Sequence, residues 1–278
     1  MPRRHPESIS TSLELEIRKG FSDNLKLMEN LKLWADNSMS EIMLNNSEKH
    51  FYSHKSRIKQ ISSVLLKIKE KRLDQLKKIK SGELKKEHPK WLEIDSFKKA
   101  KDMIEDWVGC RMITHTYDAI IELHHEITEY PRFHLQTVTI HDAKEENRKQ
   151  FKVSDLRREW LEKQGIYYEE KPNSKGYSGI HYIISPNIEE SKKCHFFQRF
   201  ELQIRSLLQE TWAEIQHQAI YKGRRMPDSV KEATNESFEL LSGMLYQCDQ
   251  AFSTLIKKHE IWENSSGSRA ATSTSPRS

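Results

Sequence analysis

The chain has 278 residues, enough to bury a substantial core, and 31% of them are charged, with a formal net charge of +5. With a mean hydropathy of −0.82, the chain has no apolar run long enough to cross a bilayer as a helix. Nine glycines are too few for a collagen-like or all-β protein.

The first dozen residues read as a disordered lead. They are basic at Arg3-Arg4 but lack the apolar stretch of a secretory signal, so a cytoplasmic setting is expected. From Leu25 the positions Met28, Leu31, Ala35, Met39 and Ile42 recur at helical spacing, predicting a helical extension over residues 1–50. Strand character follows at Phe51-Tyr52. Ile61 to Lys80 predicts a strongly basic helix stopped near Gly82, and its lysines read as a solvated face. Phe97 to Ile104 predicts a short helix, Trp107–Thr114 a buried strand, Ala119–Glu129 a helix and Leu135–Ile140 a β-rich run. Lys144 to Gln164 is charged and helical in part. Tyr177–Ser185 and Phe196–Arg205 predict two more strands, and Leu207–Lys222 a helix. Strands alternating with helices predict one sheet domain, α/β or α+β, over residues 51–225. A C-terminal helix over 226–260 carries the apolar stripe Leu241, Met244, Leu245, Cys248, Phe252 and Leu255, which either docks on the core or meets another subunit. Residues 261–278, rich in Ser, Thr and Ala, predict a disordered tail.

Cys110, Cys194 and Cys248 are scattered, with no CxxC pair, and read as ordinary thiols. His124-His125 and His141-Asp142 match no metal-ligand spacing and read as incidental.

The chemistry concentrates in a few segments. In Glu201-Leu202-Gln203-Ile204-Arg205, alternation along a strand puts Glu201, Gln203 and Arg205 on one face, opposite Phe200, Leu202 and Ile204. Asp106 stands at the edge of the strand Trp107–Thr114, with Arg111 further along it. An acid there caps, pairs or binds metal. Arg57 and Lys59, followed by Ser63 and Lys67, bring together cations suited to a polyphosphate. Lys171-Pro172-Asn173-Ser174-Lys175-Gly176-Tyr177 is a basic, glycine-containing loop entering a strand, with Tyr177 and His181 on one face. A tyrosine so placed either packs or stacks on a purine.

In this order, and with Trp212-Ala213-Glu214-Ile215-Gln216-His217 and Tyr221-Lys222 following, the segments resemble the synthetase domain of RelA/SpoT-type alarmone synthetases, over Ser53 to Lys222. The resemblance implies an α+β fold: a mixed, nucleotidyltransferase-like sheet flanked by helices. It implies transfer of the β,γ-pyrophosphate of ATP to the 3′-hydroxyl of GDP or GTP, with Mg²⁺ as cofactor. By analogy Arg57, Lys59, Ser63, Lys67 and Arg111 would hold ATP. Lys171, Asn173, Lys175, Tyr177, His181 and Arg205 would hold the acceptor. Asp106 and Glu201 would bind the metal, and Glu201, supported by Gln203, would act on the hydroxyl. The family loop reads Lys-Pro-Asn-Gly-Tyr, whereas here Ser174 and Lys175 separate Asn173 from Gly176. The segment before Arg57 is too short for the hydrolase domain of bifunctional members, so a small synthetase is expected. Small members often form homotetramers through terminal helices. The charged stretch 144–164 reads as a lid or a partner site. The alternatives are a relative that pyrophosphorylates the tRNA 3′ end or makes adenosine alarmones, and a catalytically silent nucleotide- or RNA-binding module.

Overall fold

The computed structural model describes residues 9–45, 51–83, 90–143, 151, 153–173, 176–221 and 228–271. At its centre is a six-stranded mixed sheet in the order β1-β2-β6-β5-β3-β4. The strands are β1 (Phe51–Ile58), β2 (Val108–Thr114), β3 (Phe133–Ala143), β4 (Tyr167–Asn173), β5 (Gly179–Pro186) and β6 (Phe200–Ser206). β2 and β6 run parallel, as do β3 and β4, and the other neighbours are antiparallel. The α+β expectation is met, with a mixed sheet and flanking helices.

Helices α1 (Thr11–Asn45) and α4 (Tyr117–Glu129) cover the apolar face of the sheet. In α1, Leu13, Ile17, Met28, Leu31, Trp34, Ala35, Met39 and Ile42 are buried at spacings that keep one stripe inward. Ser10 Oγ accepts from Leu13 N at 3.2 Å, so the helix starts with a serine cap well before Leu25. Trp34 packs on Phe133, Phe196 and Phe200, and its Nε1 donates to Glu190 Oε2 at 2.7 Å. His124 lies wholly buried in α4, bonded to Tyr182 Oη and Leu156 O. Burial lowers its pKa to about 4, which makes it a neutral core histidine.

The helices α2 (Ile61–Lys80), α3 (Phe97–Met103), α5 (Arg158–Lys163), α6 (Ile188–Lys193), α7 (Leu207–Gln216) and α8 (Asp228–Ala271) complete the fold. α2 ends where expected, with Lys77, Lys78 and Lys80 in its last turn and Gly82 at φ 80°. α7 begins at Ser206, whose Oγ accepts from Gln209 N at 3.3 Å, and runs into a π-helical turn over His217–Tyr221.

Several elements depart from the sequence reading. β4 takes in residues 171–173, read as loop, and residues 167–170, given no element in the sequence reading, because an edge strand tolerates Glu169, Glu170, Lys171 and Pro172. α6 was not expected. It is only six residues long, with Asn187 Oδ1 accepting from Glu190 N at 2.8 Å. Residues 261–271, read as tail, continue α8, an upstream helix needing no new nucleus to extend. The face of α8 turned to the core carries Phe238, Ser242, Asp249 and Ser253, while Leu241, Met244, Phe252 and Leu255 are exposed. The apolar stripe therefore does not dock on the core. In the stretch 144–164, residues 144–150 and 152 lie outside the described residues. A 3₁₀ turn (Val153–Leu156) and α5 occupy the rest.

Candidate active site

Register explains why polar groups from distant segments meet. Residues opposite one another in a sheet point to the same side. Lys55 faces Arg111, Arg111 faces Gln203, Gln203 faces His181, and His181 faces Thr139. One row along, Arg57 faces Gly109, and Gly109 faces Glu201. The polar face of the sheet thus carries one continuous array across β1, β2, β6, β5 and β3. A cleft of ≈ 400 Å³ opens on it, lined among others by Lys55, Arg57, Asp106, Arg111, Glu201 and Gln203. At Gly109 an added Cβ would meet nothing, so the glycine leaves floor space in the cleft.

Asp106, just before β2, is held by two ammonium groups. Lys67 Nζ donates to Oδ1 at 2.8 Å, and Lys59 Nζ donates to Oδ2. Lys59 is fixed by its backbone, its N–H bonding Trp107 O at 2.8 Å in continuation of the β1–β2 pairing. Lys67 comes from α2, whose Val64, Leu65 and Ile68 are buried. Burial alone would raise the Asp106 pKa, but the charges of Lys67 and Lys59 hold it below the ordinary value. Arg57 is exposed on the same wall, and its guanidinium has no hydrogen bond or ion pair among the described residues.

On β6, Glu201 is wired to its neighbours. His181 Nδ1 donates to Oε1 at 3.1 Å and Gln203 Nε2 donates to Oε2 at 2.7 Å. His181 Nε2 lies 2.6 Å from Tyr177 Oη, within hydrogen-bond distance. Burial pushes the Glu201 pKa up. The His181 bond and charge, the Gln203 amide and Lys67 outweigh it and hold the carboxyl at about 2. Arg205 donates to Gln203 Oε1, and its guanidinium lies over the Tyr177 ring at 5.0 Å. Arg111 donates to Glu210 Oε1 at 2.6 Å and to Glu214 Oε1 at 3.1 Å.

Residues 56–226 match the family model described as the region found in RelA / SpoT proteins. The chain belongs to the RelA/SpoT family. Among solved structures, this RelA/SpoT-family chain is similar to small alarmone synthetase 2 from Bacillus subtilis, with 16% identity and a TM-score of 0.54, over 86% of this chain and 98% of that one. It is similar to small alarmone synthetase 1 from Bacillus subtilis bound to its product pppGpp, at 15% identity and a TM-score of 0.53, over 87% and 97%. It also resembles a GTP pyrophosphokinase family protein from Streptococcus pneumoniae, at 15% and 0.52, over 90% and 96%. No curated protein sequence matches. At these identities the likeness speaks for the fold.

Of the site residues expected from sequence, the family fold gathers Arg57, Lys59, Lys67, Asp106, Arg111, Tyr177, His181, Glu201, Gln203 and Arg205 on one sheet face and its rim. Lys171 stands further out on edge strand β4, opposite His141, paired with Glu169 at 3.0 Å. Asn173 ends β4 opposite Ala143. Ser63 is exposed in the first turn of α2, outside the cleft lining. Lys175 lies outside the described residues.

The sequence reading missed His141. Its ring lies 4.3 Å from that of His181 and 5.5 Å from that of Tyr177. Burial and the charge of His181 lower its pKa to about 3, so it stays neutral. The missed signal was its even spacing from Thr139 on one strand face. Lys55, Glu210 and Glu214 were also missed as members of the array.

Among the described residues no cluster of His, Cys, Asp and Glu forms a ready-made metal cage. Asp106 and Glu201, on the walls of one cleft, are the donors that could hold Mg²⁺. That ion takes one or two carboxylates and fills its remaining positions with water and phosphate oxygens. The two carboxylates fit that requirement once a polyphosphate draws the lysines from Asp106.

Proposed function

We propose that this RelA/SpoT-family chain transfers the β,γ-pyrophosphate of ATP to the 3′-hydroxyl of GDP or GTP, making ppGpp or pppGpp. The observation that carries the reading is the single cleft with two chemically different walls. One wall offers Arg57, Lys59 and Lys67 around Asp106. The other offers Glu201, connected through His181 to Tyr177.

The acceptor 3′-oxygen attacks the β-phosphorus of ATP. The bond from that phosphorus to the α–β bridging oxygen breaks, and AMP leaves. Arg57 binds phosphate most readily, having no internal partner to give up. Lys59 and Lys67 exchange Asp106 for phosphate oxygens, which frees the carboxylate. Mg²⁺, when bound by Asp106 and Glu201, supplies further neutralisation of the phosphate charge. At about 2, the Glu201 carboxyl is ionised and orients the hydroxyl as a hydrogen-bond acceptor. The hydroxyl proton passes to the Glu201 carboxylate and on to solvent as the new bond forms, while the His181 Nδ1–H bond holds that carboxylate in place. Tyr177, Arg205, Lys171, Asn173 and Lys175 belong to the acceptor side, and Arg111 and Ser63 to the donor side. A cytoplasmic setting goes with these substrates. No described helix is long and apolar enough to cross a membrane. The exposed stripe of α8 serves as a self-association surface.

The test offers γ-labelled ATP and Mg²⁺ to the purified protein with GDP, GTP, ATP, AMP or tRNA in parallel. Label on the guanosine nucleotides is expected. Label only on tRNA or adenosine nucleotides overturns the acceptor assignment, and no transfer at all leaves a silent binding module.

A further inference from the structure

The Glu210 side chain is only 8% exposed, and its two oxygens face two different arginines. Oε1 accepts from Arg111 Nη1 at 2.6 Å, and Oε2 stands 3.3 Å from Arg205 Nη1. Lys55 Nζ approaches Oε1 at 4.0 Å. Oε2 accepts no hydrogen bond among the described residues, and Arg205 Nε donates none, so this arm has spare capacity on both sides. The carboxylate sits in the first turn of α7, where the helix N-terminus favours an anion. The helix itself is pinned, since Trp212 Nε1 donates to Phe238 O of α8 at 2.9 Å.

The two arginines serve opposite sides of the site. Arg111 lines the cleft with Arg57 and Asp106. Arg205 lies against Tyr177 and Gln203. A buried carboxylate between two guanidiniums fixes both by charge and direction, and removing it leaves a buried guanidinium, Arg205, and a part-buried one, Arg111, under-compensated. Arg111 keeps a second acceptor in Glu214, which is half exposed. Arg205 has no other carboxylate among the described ion pairs.

We propose that Glu210 is a positioning residue that aims Arg111 at the donor phosphates and Arg205 at the acceptor, so that one carboxylate sets both nucleotide subsites. The inference rests on the donor and acceptor assignment above. The test is calorimetric binding of α,β-methylene-ATP and, separately, of GDP to the full chain with Mg²⁺. Glu210→Gln weakens both affinities roughly tenfold, the size of coupling usual for groups in direct contact. Glu210→Asp, which keeps the charge, recovers part of each loss. In an Arg111→Ala background, Glu210→Gln no longer alters donor binding but still weakens GDP. In an Arg205→Ala background the pattern reverses. A merely structural role would lower both affinities alike in every background, and that result overturns the proposal. Wild-type affinities in Glu210→Gln overturn it as well. If that variant does not fold, Glu210→Asp carries the test, and unchanged affinities there overturn it. A wild-type chain that binds neither nucleotide overturns the functional reading and this inference with it.

Discussion

Asp106 and Glu201 are held differently although both are carboxylates in one cleft. Asp106 is held by two ammonium groups, Glu201 by an imidazole and an amide. Asp106→Asn and Glu201→Gln are each expected to lower pyrophosphate transfer by on the order of 10²–10³, as when other electrostatic stabilisers are removed. Circular dichroism should remain that of the parent. Near-normal turnover by either folded variant contradicts the assignment. The same contacts set an acid limit on stability. Both carboxyls have folded pKa values below the ordinary 3.8 and 4.5, with Glu201 at about 2. Their contribution is therefore whole above pH 4.5 and is lost as the pH falls through the folded values. Denaturant titrations across that window should show a shallower loss in Glu201→Gln than in the parent, and equal slopes would refute the linkage. These residues were legible in the sequence because strand alternation and motif order involve near neighbours. His141 was not, because its role depends on β3 lying beside β5, a pairing no local pattern announces.

At the scale of elements, the sheet is built on β2 and β6, whose apolar sides are fully covered, and their strand character was plain from Val108, Met112, Leu202 and Ile204. β4 and α6 were hidden for opposite reasons. β4 is a polar edge strand, and α6 is too short for a helical period. α6 nonetheless holds α1 in place. Trp34 Nε1, Arg132 Nη2 and Lys193 Nζ all converge on Glu190, whose carboxyl is held at about 2, with the Lys193 and Trp34 bonds first among the causes. Trp34→Phe removes one donor to a buried carboxylate and is expected to cost about 1.5–3 kcal/mol. A shift in the urea midpoint with an unchanged slope would report that loss. No shift would mean that Arg132 and Lys193 satisfy Glu190 by themselves.

For the whole molecule, α8 links the site to the outer surface. Its inner side bonds the loop before β5 through Ser242 Oγ, which donates to Gly176 O. Its outer side exposes Leu241, Met244, Phe252 and Leu255. The sequence announced the stripe but left its partner open. The reason lies in the inner contacts, where Ser242, Asp249 and Ser253 join Phe238 and so escape a search for apolar periodicity. Light scattering at micromolar concentration is expected to give an oligomer that Met244→Asp with Phe252→Asp disperses, and a monomeric parent would remove the self-association surface. The family and fold are settled on a larger scale than the chemistry, so the decisive measurement concerns the leaving group. Adding GDP to the chain with ATP and Mg²⁺ should release AMP one-for-one with a guanosine product carrying the γ-label. That yield should collapse in Asp106→Asn and Glu201→Gln. Release of ADP in place of AMP, or AMP formed equally without an acceptor, would contradict pyrophosphate transfer at this cleft.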